Sequence, residues 1–240
     1  MIVSDLHGNW PALEAVLAAA RDYEKVLFLG DAVGYYPDGE KVVGWLRSVG
    51  AVGIMGNHDD WLVRIDGLEA EGPILEILAW QAERLSPANL EYLSALPWTR
   101  HLEDALLVHG SPCDPLAYLE NTEQAKNAFG CTEARITFHG HTHHAGAYTQ
   151  IKGPNGDWIR FQRCVPSADI IVAPKARIIA NPGSVGQPRD GMPGAAYLIW
   201  DSKEDNLEYH RASYDLEAVL GRIEEEGFPY WLYDRLLMGR

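Results

Sequence analysis

Positive charge is scarce in this chain: 20 Lys and Arg stand against 34 Asp and Glu, a formal net charge of −14 at pH 7. Nucleic acid and anionic membranes are gripped by a basic face that displaces counterions, so this balance argues against general affinity for either. Cysteine is scarce too. The three present, Cys113, Cys131 and Cys164, are an odd number with no CxxC pair. Neither a disulfide framework nor a cysteine-built zinc site is expected, and buried or incidental thiols in a reducing cytoplasm are the plain reading. No apolar run approaches the roughly 20 residues that a bilayer-crossing helix needs, and the N-terminus lacks the basic and apolar segments of a signal peptide. The expectation is a cytoplasmic protein. If so acidic a protein handles phosphate it needs local positive charge, and bound metal is the obvious source.

Linkers, internal repeats and low-complexity tracts are also missing, so residues 1–240 read as one domain. What is there in quantity is punctuation: 23 Gly and 14 Pro imply many turns joining many short elements. "IVSD", "KVLFLGD" and "AVGIMGNHD" are continuous apolar runs, each ending in polar residues and each separated from the next by a helical pattern. Strands alternating with helices imply βαβ units and a parallel sheet whose strand ends form a crevice. Asn9 can cap a helix from Pro11 to Arg21, and Ser86-Pro87 marks a helix start with Ser as the cap. From "ALLVHGS" to "LEYHRASY" the runs are short and split by Gly, Pro and Asn, which suggests a second, largely antiparallel sheet. The predicted fold class is α/β: a four-layer α/β/β/α sandwich of two mixed sheets flanked by helices.

Five segments share one grammar, an apolar run followed by Gly, His, Asp or Asn. They are "SDLHGN" (Asp5, His7), "LGDAVGYYPDG" (Asp31), "MGNHDD" (Asn57, His58), "VHGS" (His109) and "HGHTH" (His141, His143). Mixed carboxylate, imidazole and amide donors suit divalent ions of intermediate hardness such as Mn²⁺, Fe or Zn²⁺. An Asp-x-His pair leaving a strand can aim two side chains at one ion, and a lone carboxylate at the next strand end can bridge two. Two ions about 3.5–4 Å apart can hold a shared hydroxide and clamp a phosphoryl group, so no Ser or Cys nucleophile is required.

Taken in order, D-x-H, G-D, G-N-H-D, H-G and G-H-x-H from Asp5 to His143 resemble the calcineurin-like metallophosphoesterase family. The resemblance implies that Asp5, His7, Asp31 and His143 hold a first metal and that Asp31, Asn57, His109 and His141 hold a second, with Asp31 as the bridge. It implies that Asn57 also meets substrate, and that His58 contacts the phosphoryl oxygen and protonates the leaving group, oriented by a carboxylate such as Asp59 or Asp5. "NPGSVGQPRDG" and "GYYPDG" resemble the small bacterial phosphodiesterase branch, which brings Arg189 and Tyr35 forward as substrate contacts. The activity implied is hydrolysis of small phosphodiesters or nucleotides. Phosphomonoesterase or protein phosphatase action is the alternative, and an inactive metal-binding scaffold is the reading from another class. The partner expected is a small phosphorylated substrate, not nucleic acid or membrane.

The plainer readings stay open beside these. Arg189 can pair with Asp190 at the surface, Tyr35 and Tyr36 can be loop packing, and Asp38, Asp59 and Asp60 can cap helices. His139 reads as a strand residue and His144 as a rim residue. The aromatic tail "FPYWLYDRLLMG" reads first as packing on the domain and second as a homodimer contact.

Overall fold

The computed structural model describes residues 1–68, 71–103, 105–154 and 156–240. In chain order the elements are β1 (Ile2–Val3), α1 (Trp10–Ala19), β2 (Leu27–Phe28), α2 (Gly39–Ser48), β3 (Val52–Gly53), α3 (Asn57–Val63), α4 (Pro73–Ala82), α5 (Pro87–Ser94), β4 (Thr99–His101), β5 (Ala105–Val108) and α6 (Thr122–Gly130). There follow β6 (Ile136–Phe138), β7 (Gly146–Gly153), β8 (Gly156–Arg163), β9 (Ala168–Ile171), β10 (Ala176–Asn181), β11 (Ala195–Asp201), β12 (Asn206–Ala212), α7 (Leu216–Glu225) and α8 (Trp231–Met238). Among the described residues the strands form two six-stranded sheets, ordered β3-β2-β1-β11-β12-β9 and β4-β5-β6-β10-β7-β8. Both sheets mix parallel and antiparallel pairs.

Alternation along the strands builds the layers. Ile2, Leu27, Ile54 and Leu198 point into the core between the sheets, against Leu107, Phe138 and Ile178. Val3 and Phe28, one residue on, point the other way and meet Leu13 and Val16 of α1 and Val42 and Leu46 of α2. On the far side Ile179 and Tyr148 meet Ala125 and Phe129 of α6. Helix, sheet, sheet, helix is therefore the order of the layers, as predicted. Strands buried on both faces have no solvent side to spend on polar residues, which is why they read as unbroken apolar runs.

Sheet membership differs from the reading of the sequence. The second half of the chain does not keep to its own sheet: β11 pairs antiparallel with β1, and β12 and β9 extend that first sheet. An apolar run carries the period of a strand but not the identity of its neighbour. Asn9 caps α1 as expected, its side chain accepting from Ala12 N at 3.2 Å. Ser86 occupies the cap position of α5 without a side-chain capping bond. Its main-chain N–H instead donates to Glu40 Oε2 at 2.9 Å. Asp38 likewise sits at the cap of α2 but spends its carboxylate on Lys41 and Arg222, at 3.2 and 3.3 Å.

The cysteine expectation is overturned. Cys113 and Cys131 are joined in a disulfide, and only Cys164 is a free, buried thiol. The bond joins the loop after β5 to the end of α6, a proximity that tertiary packing creates and sequence spacing does not show, so cysteine usage gives no support to a reducing compartment. No helix among the described residues is long and apolar enough to cross a membrane. The aromatic tail forms α8, whose Leu232, Tyr233 and Leu236 pack with Val219 and Ile223 of α7 and with Tyr35 and Tyr36.

Leu198, fully buried between Ile2 and Tyr209 in the register of β1, β11 and β12, tests the inter-sheet core. Leu198→Ala is expected to cost about 3 kcal/mol of unfolding free energy in a urea titration, from lost burial plus the cavity left behind.

Candidate metal centre

The seven candidate ligands, scattered from position 5 to 143, converge at the strand ends. Asp5 and His7 follow β1, Asp31 follows β2, Asn57 opens α3 after β3, His109 follows β5, and His141 and His143 follow β6. All seven are buried. Ligand atoms of Asp5, His7 and His143 lie within 4.8 Å of one another, as do those of Asp31, His109 and His141. His7 Nε2 is 3.8 Å from Asp31 Oδ2, and His109 Nε2 is 3.3 Å from that same oxygen, so Asp31 stands between the two groups. Asn57 Oδ1 lies 3.2 Å from His109 Nε2.

Three of the four candidate imidazoles are each set by a main-chain carbonyl. Nδ1–H of His7 donates to Val33 O at 3.0 Å, that of His109 to Leu29 O at 2.7 Å, and that of His143 to Gln187 O at 2.5 Å. A carbonyl only accepts, so each Nδ1 carries a proton, and in the neutral ring, the form that can ligate, each Nε2 turns a lone pair toward the carboxylates. Two of these lone pairs, on His7 and His143, face each other at 3.2 Å. Between two neutral rings this contact is repulsive, and a cation between them, a metal ion or a second proton on one ring, relieves it. His141 Nε2 is buried with no hydrogen-bond partner among the described residues, a second orphan that an ion would satisfy. The donor set therefore fits divalent ions.

The backbone is strained where the ligands sit. Asp5, His7, Asp31, His141 and His143 have φ between 49° and 65°, so five of the seven candidates occupy the left-handed region. For residues with a Cβ such conformations cost on the order of 1–3 kcal/mol each and persist where the surroundings impose them. Close approach matters as much. A Cβ on Gly56 would come within 2.1 Å of Asp31 Oδ1, and one on Gly34, at φ 108°, within 2.4 Å of His58 Nδ1.

Electrostatics follow the same geometry. Burial works to raise Asp5 and Asp31, yet imidazole charge, chiefly of His143 on Asp5 and of His109 on Asp31, holds both below the usual carboxylate range. Burial works against charge on His109, but Asp31 lifts it to about 9. His58 and His141 go down to about 4 and His139 to about 3, chiefly by burial.

His58 lies among these groups, its ring 4.7 Å from that of His7 and 4.9 Å from that of Tyr35. Its expected orienting carboxylate is not found. Asp59 accepts instead from the main-chain N–H of Asp31 at 2.8 Å, of Ala32 at 2.8 Å and of Gly56 at 3.1 Å, and Asp5 accepts from His141 N–H. His58 Nδ1 has no partner at all among the described residues. Asp59 is more than a cap: it closes the start of α3 and pins the Asp31 loop against it. Asp60 pairs with Arg64.

Arg189 and Tyr35 are brought to the site together, with Arg189 donating to Tyr35 Oη at 2.9 Å and to Gln187 Oε1 at 3.2 Å. The surface pair with Asp190 does not form, because Asp190 is taken by Arg211 at 2.5 Å. Tyr35 stands edge-on to His7 with ring centres 4.5 Å apart. His139 is buried just beyond β6, and exposed His144 meets Arg189 O at 2.8 Å.

Three contributors escape sequence reasoning. Tyr118 stacks on His141 at 4.1 Å, from a loop with no periodic pattern. Gln81 of α4 accepts from Gly34 N at 2.8 Å and donates to Gly34 O at 3.0 Å, fixing the Tyr35 loop. Arg235 of α8 lies 6.0 Å from the centre of the Tyr35 ring. None stands in a motif; a lone buried Gln inside an apolar helix is the one weak signal.

Buried carboxylates and imidazoles converging on a shared aspartate at the ends of two packed sheets form groups that could hold metal ions. Residues 1–205 match the model of the calcineurin-like phosphoesterase superfamily domain, and the chain belongs to that family. It is similar over its whole length to the metallophosphoesterase of Sphaerobacter thermophilus, with 32% identity, a TM-score of 0.87 and 98% of that chain covered. An uncharacterized protein of Methanocaldococcus jannaschii is 29% identical, with 100% of this chain and 97% of the relative covered. The hypothetical protein PH1004 of Pyrococcus horikoshii shares the fold at a TM-score of 0.74, with 19% identity, 100% of this chain and 97% of that one covered.

Gly56→Ala is expected to weaken divalent-metal retention at least tenfold in equilibrium dialysis with elemental analysis, because its Cβ displaces Asp31. Gly67→Ala, with nothing within 4 Å, is the control and retains metal.

The metal-free protein has a pH signature. Between pH 6.5 and about 4 the folded chain, with His58, His139 and His141 held neutral, binds fewer protons than the unfolded chain, so stability falls as pH drops through that window. Between pH 6.5 and 7 the raised His109 and Asp59, at about 9 and about 7, keep protons only when folded, so stability falls again as pH rises; from 7 to 8 the Met1 amino group, lowered by burial to about 6, offsets His109, and the fall resumes from 8 to about 9. Urea midpoints of chelated protein are expected to peak near pH 6.5, a check made by titration at five or six pH values.

Proposed function

We propose that the chain is a metal-dependent phosphoesterase that hydrolyses small phosphodiesters or nucleotides, with two divalent ions held by Asp5, His7, Asp31 and His143 and by Asp31, Asn57, His109 and His141. The observation that carries this reading is the sharing of Asp31 between two buried carboxylate–imidazole groups. When bound, the ions would supply a nucleophile at neutral pH and neutralise charge on the phosphoryl oxygens. The donor set admits Mn²⁺, Fe or Zn²⁺.

The protein's own contribution is position and proton control. Asn57 and His58 are consecutive residues at the start of α3, and the His58 N–H donates to Asp31 Oδ1 at 2.9 Å, so the imidazole is registered to the shared carboxylate. Burial leaves His58 neutral in the substrate-free site. A negatively charged phosphoryl group beside it favours the protonated ring, so substrate binding itself charges the acid that then serves the leaving oxygen. Arg189 offers a guanidinium beside Tyr35 for a phosphate oxygen. The small size of the substrate rests on charge: a net charge of −14 disfavours a polyanionic polymer.

His58→Ala is expected to lower turnover by a factor on the order of 10² or more while metal content by elemental analysis stays unchanged. Loss of metal in this variant would make His58 a ligand instead. The substrate class is tested with bis-p-nitrophenyl phosphate beside p-nitrophenyl phosphate, in Mn²⁺ and in excess chelator. Faster cleavage of the diester, abolished by chelator, is expected; a faster monoester reaction would turn the assignment to phosphomonoesterase.

A further inference from the structure

Two guanidinium groups converge on Tyr35. Arg189 has its Cζ 5.7 Å from the ring centre and Arg235 has its Cζ at 6.0 Å, while the ring itself lies 4.5 Å from His7. Acids outnumber bases 34 to 20 in this chain, yet among the described residues neither arginine pairs with an Asp or Glu side chain. Arg189 donates to Tyr35 Oη and Gln187 Oε1, and its Nε is buried with no partner. Arg235 donates through Nε to an oxygen of the carboxylate of Arg240, the last residue, at 3.1 Å and lies 5.8 Å from the Trp231 ring, which leaves its terminal nitrogens for another acceptor.

The position of Arg235 is built. Tyr36 Oη donates to Leu232 O at 3.1 Å and accepts from Gln187 Nε2 at 3.1 Å, while Gly191 N donates to Gly239 O at 2.9 Å. These bonds tie α8 to both loops that frame the site. Guanidinium groups with free terminal nitrogens beside the candidate metal centre bring a second anionic group into reach, because planar guanidinium forks match phosphate oxygens.

We infer that Arg235, with Arg189, forms a subsite for a second phosphoryl group of the substrate, so that the preferred class is a phosphoanhydride-linked nucleotide carrying at least two phosphates. This rests on the phosphoesterase reading above and narrows it. In the reaction water attacks one phosphorus, a P–O bond forms to it and the bridging P–O bond breaks. The bridging oxygen leaves with the second phosphate, still held by Arg235, and the proton from water passes to that phosphate or to solvent.

The test compares Mn²⁺-loaded wild type, Arg235→Ala and Arg235→Lys on a dinucleoside diphosphate and on bis-p-nitrophenyl phosphate, which has one phosphate. Arg235→Ala is expected to raise KM for the first about tenfold, the size of one charge-assisted hydrogen bond, with kcat within twofold and a clearly smaller change on the second. Arg235→Lys recovers part of the loss. An equal rise on both esters, or none on either, overturns the subsite.

If the wild type cleaves neither ester, the phosphoesterase reading fails, and calorimetric binding of ADP against AMP still decides about Arg235. A tenfold preference for ADP that disappears in Arg235→Ala supports the subsite. A preference that survives the substitution, or that the wild type never shows, overturns it.

Discussion

The structure turns on one dry carboxylate. Asp31 is 1% exposed and lies within 4 Å of the Nε2 atoms of both His7 and His109. Its neighbours are chosen by that position: Gly56 has no Cβ because Asp31 occupies the space, and Asp59 turns inward to hold the Asp31 main chain. His58 starts its helix with an N–H on the Asp31 carboxylate. A buried charge is costly unless met by hydrogen bonds and opposite charge. Here the hydrogen bonds and imidazoles that meet it come from four other loops, and the sandwich fold is the device that brings them to one place.

Position in the fold explains why those loops can do it. Short strands buried on both faces end at one edge of the packed sheets, and each releases its chain into a turn with no side facing solvent. Main-chain carbonyls at Leu29, Val33 and Gln187 are then available to set imidazole tautomers. Side chains too far along the chain to cooperate by sequence are aligned by backbone groups whose positions the sheets have already determined.

Much of the candidate centre was legible because its residues punctuate apolar runs: Asp5 and His7, Asp31, Asn57, His109, and His141 and His143 follow five such runs, and the structure gathers all seven. Layer order was legible as well, from runs too apolar for a one-faced sheet. What lay outside reach was partnership. β11 pairs with β1 across nearly the whole chain, Cys113 meets Cys131 through tertiary packing, and Arg235 reaches Tyr35 only because α8 docks on α7. His58 lost its expected carboxylate for the same reason, since Asp59, its neighbour in sequence, faces the Asp31 loop. Local pattern reports which face a residue prefers and is silent about what waits on that face.

The left-handed aspartates and histidines carry a further consequence. Backbone strain, buried charge and opposed lone pairs all concentrate in the residues that an ion would relieve, so the ion-free chain is least comfortable where the bound chain is most ordered. Folding and ion uptake are then one equilibrium, and each tenfold rise in free ion above the dissociation constant adds about 1.4 kcal/mol to the folded state. On the proposed two-metal reading, the quantity of intact protein would follow metal supply, because scarcity would leave these loops unrelieved as well as the centre idle.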